Sequence, residues 1–448
     1  MSLRPLYYFS KVLFNVTIRT YYRTIVVRGE ENLCPGKPVV IAMNHPNAFM
    51  DPIAFATVVK PEMNFLARGD VFSKGLSPIL KGVGIIPIYR LRDSGREGMM
   101  KNDETFRKVT EYLKQRRYVI IFAEGISLHG RRIEPLKKGC ARMVLGAMET
   151  LNESEIRVVP VGMNYQNDPS KFRHRLFIDI GKPILVSEYQ EQYAENASKT
   201  VNVLTQSIQE SMKAAVVHID DLQNESLVKK IEEIYLEQFL HEHGFRIDNL
   251  EEAHQFTKSL VAKINEIHIH TPDTLGVIKN QLDSYLSKLE GLKIRDHLLR
   301  NENKKLSEAP SLIFRSIVFV LGVPIWVLGI VTNYVPYAIC WKAPGFFTKD
   351  IEWFSAIAGV LGSFLFLFYH LGQFAVFGYL TQDYLWLICF VLITLFSGWF
   401  CLHFSPFRKK LMGSFRLFRY KRKNAEAKEL ISEREKIVNT IKRLIGAV

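Results

Sequence analysis

The chain has 448 residues, 48% of them apolar and 12% aromatic, far more than a disordered chain carries and enough for two or three domains. Against 45 acidic residues it holds 59 lysines and arginines, a net charge of +14, and residues 405–448 alone carry 13 basic and 4 acidic side chains. That excess follows apolar sequence without any nucleic-acid motif, which favours an anionic membrane face over nucleic acid, and five cysteines far apart exclude a disulfide scaffold or a Cys-based zinc module.

Residues 1–27 are aromatic and aliphatic but interrupted by Lys11, Asn15, Arg19 and Arg23. No small-residue cleavage site follows, so an interfacial amphipathic helix is expected, not a signal peptide. From 28 to 187 short apolar runs (Pro38–Met43, Ile85–Tyr89, Tyr118–Phe122, Arg157–Val161, Leu176–Ile180) alternate with helical patterns at Asp103–Gln115 and Lys138–Leu151. This alternation predicts an α/β domain, a mixed sheet flanked by helices. Over 188–310 glycine and proline become rare and Ile278, Leu282, Tyr285, Leu289 and Leu292 recur at helical spacing, predicting a helical insert.

Residues 311–404 form a C-terminal α-helical transmembrane region of three runs, Ser311–Trp341, Ile351–Leu380 and Tyr384–Phe404, each beyond the roughly 20 residues that cross hydrocarbon. Three crossings would put the basic tail, 405–448, opposite the α/β domain. An even count is therefore expected, with Pro324 breaking the first run into a re-entrant hairpin and the other two joined at Thr381–Asp383. The tail repeats Leu430, Ile431, Ile437, Ile441, Leu444 and Ile445, predicting a helix lying on the membrane surface.

The strongest local signal is Asn44-His45-Pro46-Asn47-Ala48-Phe49-Met50-Asp51-Pro52, directly after an apolar strand. A histidine held by a carboxylate is the usual arrangement for a general base. Six helical steps would leave His45 and Asp51 about 240° apart, so the segment must bend, and Pro46 and Asp51-Pro52 are the expected places. Alternatively Asp51 simply caps a helix that starts at Pro52.

With these residues the sequence resembles the glycerolipid acyltransferases, whose signature is a histidine and an aspartate with four residues between; here five intervene. The resemblance continues through Gly84-Ile85-Ile86-Pro87-Ile88-Tyr89-Arg90, Phe122-Ala123-Glu124-Gly125-Ile126-Ser127, Pro135-Leu136-Lys137-Lys138-Gly139 and Val159-Pro160-Val161-Gly162. Ile126 and Leu128 stand where the third block usually has threonine and arginine. The spacing and the stretch to Pro135 look more like the fungal branch that acylates glycerol-3-phosphate and dihydroxyacetone phosphate.

The resemblance implies that His45 and Asp51 are catalytic and that Arg90, with Arg131 or Arg132, meets the acceptor's phosphate. Asn44, Asn47, Glu124, Gly125, Ser127 and Lys137 would complete the substrate site. It implies a membrane-bound O-acyltransferase of phospholipid synthesis, moving an acyl group from acyl-CoA or acyl-carrier protein to glycerol-3-phosphate or 1-acylglycerol-3-phosphate. Neither cofactor nor metal is expected. His241 with His243 and His268 with His270 lack supporting ligands, and Ser127 lacks a nucleophile elbow. The chain is expected to be integral to the membrane, with active site and tail on the cytoplasmic face. The alternatives are a phosphate-free acceptor such as an amino-acid-based lipid, a non-catalytic membrane scaffold, and a transporter, for which the apolar runs offer few paired charges.

Overall fold

Five apolar residues in a row, Val39–Met43, have no face to offer water, and they form a strand buried throughout. The computed structural model that contains it describes residues 5–72, 75, 77–89, 95, 100–166, 168–300, 309–423 and 426–446. The chain divides into two units, Met1–Asp220 with Ala343–Ser363, and Asp221–Lys342 with Phe364–Val448.

The first unit contains helices α1 (Pro5–Tyr21), α2 (Met50–Val58), α3 (Ser77–Gly82), α4 (Asn102–Lys114), α5 (Gly139–Leu151), α6 (Gln190–Glu195) and α7 (Ala197–Ala215). Its strands are β1 (Thr24–Arg28), β2 (Val39–Met43), β3 (Met63–Arg68), β4 (Ile85–Ile88), β5 (Tyr118–Phe122), β6 (Arg157–Tyr165), β7 (Arg175–Ile180) and β8 (Ile184–Leu185). They make one sheet in the order β1-β7-β6-β2-β5-β3-β4, with β8 pairing β6. All pairs are parallel except β6 with β7 and β8, so the sheet is mixed and parallel-dominant, as expected.

Helices cover both faces of this sheet. Val40 and Ala42 point into a core with Val144, Leu204, Ile208 and Met212, whereas Val39, Ile41 and Met43 point into one with Ile18, Tyr22, Phe55 and Ile178. Two sequence boundaries shift for this reason. The unit extends to Asp220 and not 187, because α7 buries Leu204, Ile208 and Met212 against the sheet. Nor is 1–27 separate: the sheet already begins at Thr24, and Tyr7, Ile18 and Tyr21 of α1 are buried. The opposite face of α1 leaves Phe9, Val12 and Val16 exposed, the apolar stripe an interfacial helix needs.

Near the end of β6, Gly162 lets α7 approach: a Cβ there would stand 2.0 Å from the Ala215 carbonyl oxygen.

The second unit is helical. It holds α8 (Gln223–Ile231), α9 (Glu237–Glu242), α10 (Leu250–His270), α11 (Pro272–Gly291) and α12 (Ala309–Lys342). After the short α13 (Pro344–Phe347) comes α14 (Phe354–Thr381), which belongs to the first unit up to Ser363 and to the second from Phe364, and then α15 (Tyr384–Lys423) and α16 (Glu426–Ile445). Among the described residues three segments, Ala309–Phe347, Ile351–Thr381 and Tyr384–Arg422, are long and apolar enough to cross a membrane.

The expected re-entrant hairpin is corrected: α12 runs unbroken through Pro324 and Pro336. A proline removes one backbone bond, and close packing on α15, with Gly322 against Phe404 and Gly329 against the Ser397 carbonyl, supports the helix around it. The tight join after Thr381 is present, with Gln382 at φ 51°. The tail is corrected too, because α16 buries Leu430, Ile437, Val438, Ile441 and Leu444 and so packs on protein instead of lying on a membrane surface.

Arg434 of α16 is buried in that packing. Its guanidinium donates to both Asp296 oxygens at 2.8 and 3.0 Å, to Gln238 and to the Ile234 carbonyl, while Tyr285 donates to Asp296 at 2.7 Å. Arg434→Met strands a buried carboxylate and should cost about 3–5 kcal/mol, read as a lowered denaturant midpoint in detergent. A loss below about 1 kcal/mol would put this cluster in the class of surface pairs.

Candidate active site

In a parallel sheet, loops leaving the carboxyl ends of adjacent strands converge. Here β2 lies between β5 and β6, with Met43 opposite both Phe122 and Val161. His45 therefore emerges beside the end of β5 and stacks on Phe122, ring centroids 3.7 Å apart. β6 continues four residues past Val161, which brings Tyr165 alongside the same loop.

The bend comes at Ala48, whose φ is +35°, and α2 begins at Met50, two residues before the proline expected to start it. Phe49 occupies the N-cap, and Asp51 sits in the first helical turn, so the capping alternative fails. Asp51 is fully buried. One of its oxygens, Oδ2, accepts from the Asn47 N–H at 2.7 Å and pairs with His45 Nδ1 at 3.0 Å; Oδ1 accepts from the Tyr165 hydroxyl. With the Nδ1 proton held by this carboxylate, Nε2 is the basic nitrogen. The His45 side chain keeps 18% of its surface exposed and Asp51 none, so of the pair only the imidazole reaches the surface.

An aromatic layer lies behind Asp51. The Tyr22 and Tyr165 hydroxyls are 3.4 Å apart, and His174 packs its ring on Tyr21, Tyr22 and Tyr165. Burial pushes the His174 imidazole down to about 4 and the Tyr165 phenol well up, so this layer is neutral around the carboxylate.

Glu124 lies on the loop after β5 and is buried. Burial raises its carboxyl to about 7, partly offset by hydrogen bonds from the backbone of Glu134, at 2.8 Å to Oε2, and of His45. The folded protein thus holds this proton more tightly than the unfolded chain, whose glutamate titrates near 4.5. Its contribution to stability is full below pH about 4.5 and declines as pH rises towards 7. Glu124→Gln should flatten that part of a thermal-unfolding profile; an unchanged slope would contradict the assignment.

A family model described as Acyltransferase matches residues 24–164, the stretch from β1 to β6 that builds this site. Residues 24–164 therefore form an acyltransferase domain. Over 327 residues, 64% of the chain, it is 25% identical to "Glycerol-3-phosphate O-acyltransferase 1" of Saccharomyces cerevisiae. Over 135 residues, 30% of the chain, it is 32% identical to "Glycerol-3-phosphate O-acyltransferase 2" of the same yeast. These alignments span 40% and 18% of the two relatives' own lengths. Among solved structures, the 1-acyl-sn-glycerophosphate acyltransferase PlsC of Thermotoga maritima aligns with 46% of this chain and 79% of its own, at 18% identity and a TM-score of 0.33.

Several residues expected to touch substrate in this acyltransferase domain also make hydrogen bonds within the protein. Asn44 exchanges two hydrogen bonds with the Met163 backbone, tying the end of β2 to β6. Asn47 is fully buried, donating to the Pro169 carbonyl and accepting from Ser355. Ser127 donates to the His45 carbonyl at 2.8 Å and accepts from the Ala48 N–H at 3.1 Å, so it fixes the loop that carries His45. Arg132 is drawn to Glu134 and the Asp220 carbonyl, whereas Arg131 donates to the carbonyl of Gln166, next to Tyr165. Gly125, at φ +72°, turns the loop against Lys137, whose Cγ would be 3.4 Å from a Cβ at that glycine. Arg90 lies outside the described residues. His243 packs on Phe239, and His268 is 3.9 Å from Asp221; among the described residues no metal-holding group of His, Cys, Asp or Glu occurs.

The sequence singles out neither Tyr165 nor Ser355 as a site residue; for Tyr165, the one available signal is its place four residues beyond the apolar run that ends at Val161.

Proposed function

We propose that this protein transfers a fatty acyl group from an acyl thioester, acyl-CoA or acyl-carrier protein, to a hydroxyl of glycerol-3-phosphate or 1-acylglycerol-3-phosphate. The observation that carries this reading is the imidazole of His45 held at Nδ1 by a carboxylate that is itself fully buried. His45 Nε2 takes the proton of the acceptor hydroxyl as its oxygen attacks the thioester carbonyl. The C–O bond forms, the C–S bond breaks, and the proton passes from the imidazolium to the departing thiolate. No acyl group resides on the enzyme, and no cofactor takes part.

The phosphate is the finer part of the proposal. A phosphomonoester calls for guanidinium forks, for which Arg90 and Arg131 are the candidates. The names of the two yeast relatives support glycerol-3-phosphate as acceptor. The three apolar helices support an integral membrane protein, and we place the site on the cytoplasmic face of the bilayer; a basic tail on that same face would need one of the three not to cross.

A panel of acceptors tests this reading: glycerol-3-phosphate, dihydroxyacetone phosphate, 1-acylglycerol-3-phosphate and an acyl-amino acid, each with labelled acyl-CoA and acyl-carrier protein. Product is expected from a phosphorylated glycerol. Product from the acyl-amino acid alone would overturn the phosphate assignment.

A further inference from the structure

The head of α14 rests on the catalytic loop, although more than 300 residues separate them in sequence. Ser355, 2% exposed, donates its hydroxyl to Oδ1 of Asn47, and the backbone N–H of Asn47 in turn donates to Asp51 Oδ2. Trp353 meets the edge of Phe49, the residue before α2, with centroids 5.1 Å apart. A Cβ on Gly359 would stand 2.9 Å from Sδ of Met50, and Ser363 lies 2.6 Å from the Thr17 hydroxyl of α1. Ser355, Gly359 and Ser363 recur every four residues, so they share one face of the helix, and small side chains there permit the close approach. From this docked face α14 continues without interruption to Thr381, as part of a segment apolar enough to cross a membrane.

We propose that Ser355 is a positioning residue for the His45–Asp51 pair, acting through Asn47 from the head of this apolar helix. The Asn47 side-chain amide is bonded at both ends, by the Pro169 carbonyl and by Ser355, which pins the residue in place. The backbone N–H of that pinned residue donates to Asp51, and Asp51 sets the imidazole. Removing the Ser355 hydroxyl leaves a buried amide oxygen without its donor, and Asn47 must tilt to recover one. The brace comes from outside residues 24–164, so the family segment contains the reacting pair but not the residue that steadies it. Insertion of α14 and alignment of the dyad are thereby linked through one continuous helix.

The inference rests on the acyl-transfer reading, and the test separates the two. Full-length wild type, Ser355→Ala, Ser355→Thr, Asn47→Ala and the Ser355→Ala/Asn47→Ala double variant are purified in detergent and assayed for acyl transfer. Ser355→Ala should lower kcat by about ten- to a hundredfold, with KM for both substrates within about twofold of wild type. Ser355→Thr, which keeps the hydroxyl, should recover most of that loss. The double variant should be no slower than Asn47→Ala alone, since both changes cut one chain of contacts. An unchanged kcat in folded Ser355→Ala, or losses that multiply, would overturn the proposal. Should Ser355→Ala fail to fold, Gly359→Val presses on the same loop through Met50 and is read in the same way. Should wild type transfer no acyl group, the function reading fails by itself; the rate of His45 modification by diethylpyrocarbonate then decides, expected to change severalfold in Ser355→Ala and to stay constant if the brace is inert.

Discussion

His45→Ala should lower kcat for acyl transfer by about 10²- to 10⁴-fold, the usual worth of a positioned general base. The fold should survive, because the imidazole contributes one stacking contact with Phe122 and one pairing with Asp51, while the loop is tied down independently. Ser127 grips the His45 carbonyl, Leu128 donates to that same carbonyl, and the Asn47 N–H holds Asp51. Thermal unfolding should therefore move little and KM for both substrates should stay close to wild type. A variant retaining more than about a tenth of wild-type kcat would remove His45 from the chemistry.

Asp51→Asn is the second large effect, and it works through geometry as much as charge. The carboxylate accepts three hydrogen bonds, from His45, Asn47 and Tyr165, whereas an amide has one acceptor oxygen and must turn an NH₂ towards one of those partners. With the NH₂ at the Oδ1 position the Tyr165 hydroxyl loses its acceptor; with the NH₂ at the Oδ2 position the Asn47 N–H loses its acceptor and the imidazole flips to the other tautomer, so that its Nε2 carries the proton. In the last case the base is lost, and kcat should fall by about 10³-fold or more. Tyr165→Phe, which removes one donor and leaves the carboxylate, should cost much less than Asp51→Asn. Equal losses in the two variants would mean that Asp51 serves the buried packing and not the imidazole.

What could be read from the sequence was what the chain encodes locally. β2 and β5 were legible because five consecutive apolar residues bounded by turns have no other use, and the dyad was legible because only six residues separate its partners. β3 was not, because Asn64 interrupts its apolar run; that amide is buried and donates to the Tyr118 carbonyl, a partner on another strand. β1 was hidden for a related reason, being an edge strand half-buried along its whole length with no alternation to detect.

The site shows the same division. His45 and Asp51 could be paired within one short segment, but the partners of Asn44 and Asn47, the Met163 backbone and Ser355, lie 119 and 308 residues away and could not be read locally. The hairpin expected at Pro324 failed because a proline's local preference was weighed without the glycines that let α15 pack against the helix around it. In each case a contact distant in sequence overrode a sound local argument.

The most direct measurement is a single turnover with a labelled acyl thioester and glycerol-3-phosphate, quenched at intervals and separated into lipid, free thioester and protein. The account predicts that label moves from thioester to lipid without passing through protein, and that His45→Ala leaves it on the thioester. Label accumulating on the polypeptide before the lipid forms would contradict direct transfer, and label that never reaches lipid in the wild type would contradict the acyltransferase itself.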